Sequence, residues 1–296
     1  MPSFFNANRC SNWARIIGAL LLAAGLAACS TLKLAYNNLP ELGYWWLDSY
    51  LDFDGSQTPR VRDELDRLLA WHRRNELPQW IALLQKAQLL APQDITPAQA
   101  CELGEAVRTR LLALAEYVEP AGAELALSLT PAQLDQLQRK YARQNDDYRA
   151  DWLSKSREAQ QAKRYEQWLD RSEDFYGTLD NSQRRALRQM AAESIFSAAL
   201  FDAERKRRQG VLLATLRGLG AERNAPSAEA KRVVHTYLRS VTEPPAGRWR
   251  EQQQALWLEG CRNFAALHNM TSPAQREHAV RRLHGYETEL RELSAQ

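Results

Sequence analysis

The sequence predicts an all-α fold, a multi-helix bundle or array with one long central helix, and three observations predict it. The 296 residues include eight Val and five Ile against abundant Leu and Ala, with 13 Gly and 12 Pro. Strands favour β-branched residues and turn-dense sandwiches need Gly and Pro, whereas Leu and Ala are strong helix formers. Apolar residues recur at three- and four-residue steps, the spacing that lines one face of a helix. Residues that open helices, followed by Pro or by Gln three positions on, punctuate the chain at helix-length intervals. A hydrophobic fraction of 45% with 25% charged residues excludes a chain that is disordered throughout.

The elements follow in order. Residues 42–53 place Leu42, Trp46, Tyr50 and Phe53 on one broad face, with Leu47 and Leu51 alongside. That aromatic face could lie on a bilayer interface, but Asp48, Asp52 and Asp54 argue for packing on the rest of the domain. Thr58-Pro59 opens a helix with Val61, Leu65, Leu68, Leu69 and His72 inward, and Pro78 opens a short one through Leu90. Thr96-Pro97 starts a helix to about Val118, ended by Glu119-Pro120. Thr130-Pro131 begins the longest segment, expected to reach about Tyr176 as the central helix. Later helices are expected over 182 to 208 or 217, stopped by Gly218 and Gly220, and over 227–241, 247–268 and 272–293. The run Glu204-Arg205-Lys206-Arg207-Arg208 reads as a solvated helix face or a C-terminal turn near Gly210.

The N-terminus reads as an address. Arg9 and Arg15 precede Ile16 to Ala28, a 13-residue stretch without charge. A membrane-spanning helix needs about 20 residues, so this length suits a secretory signal. Leu26-Ala27-Ala28-Cys29-Ser30 resembles the lipobox of bacterial lipoproteins. That resemblance implies cleavage after residue 28, lipidation of Cys29, and, with Ser30 next, placement at the outer membrane facing the periplasm. The expected organisation is a signal peptide over 1–28, a lipidated tether over 29–40 and a helical domain over 41–296, with a possible subdomain split near 218–226. Removing the leader takes away Arg9 and Arg15, and the formal charge falls from +3 to +1. A nearly neutral chain is a poor partner for nucleic acid. The membrane contact expected is through the lipid anchor. Cys101 and Cys261 remain as a disulfide candidate in an oxidising compartment, the alternative being two separate buried thiols.

Four helix starts share a pentad: Ile95-Thr96-Pro97-Ala98-Gln99, Leu129-Thr130-Pro131-Ala132-Gln133, Leu179-Asp180-Asn181-Ser182-Gln183 and Thr271-Ser272-Pro273-Ala274-Gln275. Physically this is a capping box, with Gln reaching back to the cap. It is also similar to the L-T-x-x-Q motif of small periplasmic helical chaperones that bind unfolded clients. The lipobox, Leu34-Ala35-Tyr36-Asn37-Asn38-Leu39, the Trp- and Asp-rich segment 44–54, Trp152 and Phe175-Tyr176 together resemble a family of Gram-negative helical lipoproteins of unknown function. That resemblance implies location and fold, and no activity.

No catalytic signature is present: no H-E-x-x-H around His278, no G-x-S-x-G, no phosphate-binding loop and no C-x-x-C. No cofactor and no metal is expected. The function expected is a non-enzymatic, chaperone-like binding role toward envelope polypeptides, with Trp152, Trp168, Trp249 and Trp257 as client-binding aromatics. The alternatives are a peptidoglycan or glycan enzyme or regulator, which needs converging carboxylates, and a passive structural lipoprotein.

Overall fold

The structure, a computed structural model, describes residues 33–221 and 226–296. The expected signal peptide, the lipobox and Cys29 lie outside the described residues. Eleven α-helices and no strand appear among those residues. They are α1 (Leu39–Leu51), α2 (Gln57–Trp71), α3 (Leu77–Leu90), α4 (Pro97–Ser128), α5 (Pro131–Tyr148), α6 (Arg157–Tyr176), α7 (Asn181–Glu193), α8 (Ala198–Ala221), α9 (Ser227–Thr242), α10 (Arg248–Asn269) and α11 (Pro273–Ser294). Single π-helical turns, His72–Glu76 and Arg149–Leu153, follow α2 and α5.

The central helix is α4, 32 residues long, packed against α8, α9 and α10. The segment expected to be central, 130–176, is instead two helices. A π turn ends α5, and Ser156 caps α6 with a hydroxyl that accepts from Ala159 N. Pro120 does not end α4. A proline removes one hydrogen bond, but the turn beyond it buries Ala123 and Ala126 to 1% and 3% exposure, and that packing keeps the helix going. Pro78 sits in the first turn of α3, as expected, although the π turn His72–Glu76 joins that helix to α2 without a gap. Leu77 N–H closes that π turn onto His72 O. Gly218 and Gly220 lie within α8, which breaks off from α7 earlier, at residues 194–197. The second helix begins one residue before Thr58, with Asp54 Oδ1 accepting from Ser56 N and Gln57 N. Helical structure also reaches into the expected tether, over residues 33–37 and from Leu39.

Burial is divided among four small cores strung along the array. Leu51, Leu129, Leu134, Leu137 and Leu216 form one, and Tyr176, Leu179, Leu187 and Leu267 a second. Ile95, Ala100, Cys261 and Ala265 form a third, where a disulfide joins Cys101 on α4 to Cys261 on α10. The fourth closes the chain on itself: Leu293 of α11 is fully buried with Tyr36 and Leu77. Beside it, α11 locks onto α3, where Gln85 and Gln88 donate to Glu287. Those two amides and Arg291 hold the Glu287 carboxyl down at about 2.

All four pentads form capping boxes. Three of them do more. Gln133 and Gln57 pair their amides at 2.6 and 3.2 Å, and each also donates to a carbonyl before the partner's helix, Asp52 O and Ser128 O. Gln183 and Gln275 repeat the arrangement, with Met270 O and Thr178 O as the outer acceptors. Each Oε1 also accepts from the backbone N–H three residues before it. Every donor and acceptor of these amides is thereby used, which is what lets them sit inside a core.

The face of α1 expected to pack on the domain does so only in part. Tyr44 and Leu51 are buried, while Leu42, Trp45 and Trp46 are exposed. Apolar residues surround more of this helix than one neighbour can cover. The basic run 204–208 is not a solvated face. Glu204 is buried between Arg207 and Arg208, and Asp202 binds Arg205 and Lys206.

His268 is buried, its Nδ1 accepting from Tyr176 Oη at 2.9 Å and its Nε2–H donating to Gln93 O at 2.8 Å. Burial lowers its pKa, although the Gln93 carbonyl opposes the shift. A depressed folded-state value means that the contribution to stability is complete above the free imidazole value, about 6.5, and is lost as pH falls toward the folded value. Unfolding midpoints between pH 7.5 and 5 are expected to drop in the native protein and to drop less in His268→Gln. Parallel profiles would disprove this.

Candidate functional site

The four residues Ser194-Ile195-Phe196-Ser197 leave helical geometry between α7 and α8 and open a pocket of about 470 Å3 against the start of α6. The break is held from behind. Glu259 of α10 is 8% exposed and accepts from Ser194 Oγ at 2.5 Å and from Ile195 N at 2.9 Å. One buried carboxylate thus satisfies the backbone and hydroxyl that the missing helical turn would have used. Arg164 Nη2 donates to the same Ser194 hydroxyl at 3.0 Å. Its guanidinium lies 4.7 Å from the Trp168 ring centroid and 4.3 Å from that of Phe196. Burial pushes the Arg164 pKa down, opposed by the charge of Glu259. Its Nε is buried without a partner.

The pocket pairs apolar walls, Leu153, Ile195 and Phe196, with polar ones, Arg157, Gln160, Gln161, Arg164 and Ser197. No acidic side chain lines it. The N-termini of α6 and α8 both border it, and helix N-termini favour negative charge. The arrangement can therefore hold an apolar group that carries a carboxylate or another anion.

Along its edge runs a ladder of rings: Tyr148 to Trp152 at 6.3 Å, Trp152 to Phe196 at 5.4 Å, Phe196 to Phe201 at 4.9 Å and Phe201 to Trp249 at 4.8 Å. Three of the four expected aromatics connect to the pocket through Phe196, Phe201 or Arg164, although none lines the pocket itself. Trp152 and Trp249 are rungs, and Trp168 lies under Arg164. All three are half-buried, so much of their area is packing. Trp257 stands elsewhere, 39% exposed, its ring against Gly104 of α4 where a Cβ would come within 2.5 Å.

The sequence reading missed the break at 194–197, Glu259 and Arg164. Two serines bracket the break, but no Gly or Pro marks it, and a buried Glu 65 residues downstream leaves no local signal. Among the described residues no group of His, Cys, Asp and Glu is gathered that could hold a metal. None of the described helices is long and apolar enough to cross a membrane. The model of a family of unknown function matches residues 49–239, from the end of α1 into α9 and across the α6, α7 and α8 walls of the pocket. No curated protein and no solved structure matches the chain.

Proposed function

The chain belongs to DUF6279, a family of unknown function, and from that premise we propose a non-enzymatic binding protein of the bacterial envelope whose partners are polypeptides. In this reading it is fastened through Cys29 to the outer membrane on the periplasmic side. The observation that carries the binding role is the pocket at 194–197, where apolar walls meet Arg157 and Arg164 with no acid among the lining residues. That lining suits an apolar chain segment bearing a carboxylate.

The buried acids support the non-enzymatic part. Glu76, Glu259 and Glu287 lie on different elements, and Asp202 and Glu204, two apart on α8, each bind their own pair of basic side chains. Burial alone would raise Asp202 and Glu204, but hydrogen bonds from Lys206 and Arg205, and from Arg207 and Arg208, outweigh it and hold both low. A carboxyl held low is a poor proton donor at neutral pH. The lipid anchor rests on Leu26-Ala27-Ala28-Cys29 alone.

A photo-crosslinking side chain at Ile195, which is 45% exposed, tests the role in intact cells. Polypeptide adducts are expected from position 195 and not from Leu111, an exposed position on α4. Arg157→Glu is expected to cut the yield severalfold, because it reverses the charge at the pocket rim. No polypeptide adducts at 195, or equal yields at both positions, would end the proposal.

A further inference from the structure

The first helix carries an apolar strip that nothing in the described protein covers. Leu39, Leu42, Trp45 and Trp46 are 47%, 54%, 58% and 61% exposed, and Leu34 just upstream is 66% exposed. At about 100° per residue these positions share one side of the helix, while Tyr44 and Leu51 share the other. Two indoles and three leucines bared on one strip are more than scattered surface apolarity accounts for.

Two acids of the segment are engaged within the protein, although Glu41 also touches Trp45 at the edge of the strip. Glu41 is bound by Arg62, and Asp48 Oδ1 accepts from Phe53 N at 2.9 Å. The charged side chain facing the segment from α5 is Lys140, which donates to Ser49 Oγ at 3.3 Å and lies 5.0 Å from the Tyr50 ring centroid. Arg62 and Lys140 thus offset part of the negative charge of this segment, while Asp52 and Asp54 remain exposed at its far end.

What lies upstream indicates the occupant. Cys29 precedes Lys33 by four residues, and four extended residues reach about 14 Å. The strip begins six residues after Lys33, so an anchor at Cys29 keeps it near the bilayer. We propose that Leu39, Leu42, Trp45 and Trp46 seat in the interfacial layer of the membrane, as a second attachment that fixes the protein's orientation. Indoles prefer that layer, and one attachment point leaves a protein free to swing whereas two do not. The proposal rests on the reading of Cys29 as lipidated.

The test uses full-length protein reconstituted into phosphatidylethanolamine–phosphatidylglycerol vesicles with acyl chains brominated close to the headgroup. Brominated lipid is expected to quench the tryptophan emission, and the double variant Trp45→Phe/Trp46→Phe is expected to reduce that quenching roughly twofold or more. Both positions are exposed, so unchanged far-ultraviolet circular dichroism is expected and checks the fold. Equal quenching in the two proteins overturns the proposal. So does shielding of both indoles from brominated lipid and from aqueous acrylamide alike, because a protein surface then covers the strip. Intact mass separates the two readings. Acylated Cys29 without strip quenching removes the strip and leaves the tether, whereas strip quenching with unmodified Cys29 leaves the strip and removes the tether.

Discussion

Breaking the Cys101–Cys261 bridge is expected to cost the protein several kcal/mol of stability. The two residues are 160 apart in sequence, and the bridge ties the first turns of the central α4 to α10. In the chain-entropy view, a cross-link closing so long a loop stabilises by about 5 kcal/mol, chiefly by restricting the unfolded chain. Cys261 and the partly buried Cys101 also pack with Ile95, Ala100 and Ala265, so double replacement by alanine removes buried sulfur as well. For a chain of this size the midpoint should fall on the order of 10 °C. Thermal unfolding of the native protein, of the reduced protein and of Cys101→Ala/Cys261→Ala checks it. A fall of less than about 1 kcal/mol in the reduced protein would mean that α4 and α10 hold together without the bridge.

The second large effect is expected at Gln183, one of the three largest fully buried side chains. Gln183→Ala removes a capping bond and leaves Asp180 N, Met270 O and the Gln275 amide without their partner. Each buried group left unpaired costs about 1–3 kcal/mol, so the total should be about 3 kcal/mol or more. Gln99 provides the control. It caps α4 in the same way, but among the described residues its side chain bonds to Thr96 alone, and it sits at the edge of a core. Gln99→Ala should cost about 1 kcal/mol, the usual value of a cap. Denaturant unfolding of both variants, with a double-mutant cycle through Gln275→Ala, separates the two roles. Equal losses at Gln183 and Gln99 would show that crossed pairing adds nothing to capping.

This contrast shows how far local signals reach. The four pentads are legible as helix starts because an N-cap and a Gln three residues later close a bond within one turn. Nothing in the pentads says that Gln183 and Gln275 meet while Gln99 meets neither. That pairing depends on two helix ends arriving together across 92 residues. The candidate site divides in the same way. Trp152, Trp168 and Trp249 stand out in the sequence as large aromatics, yet the break that gathers them is set by Glu259, which replaces the hydrogen bonds of a lost turn. Trp257 carries the same sequence signal and packs elsewhere, over Gly104.

Read alone, the chain determined that the fold is helical and where most helices begin, because composition, periodicity and caps act over a few residues. Which prolines and glycines a helix can run through, which helix is central, and which aromatic face stays bare were decided by tertiary packing. Pro120, Gly218 and Trp46 each carry a weak local preference. Burial of neighbours such as Ala123 and Leu219, or the lack, among the described residues, of a neighbour over the exposed strip of α1, outweighs a preference of that size.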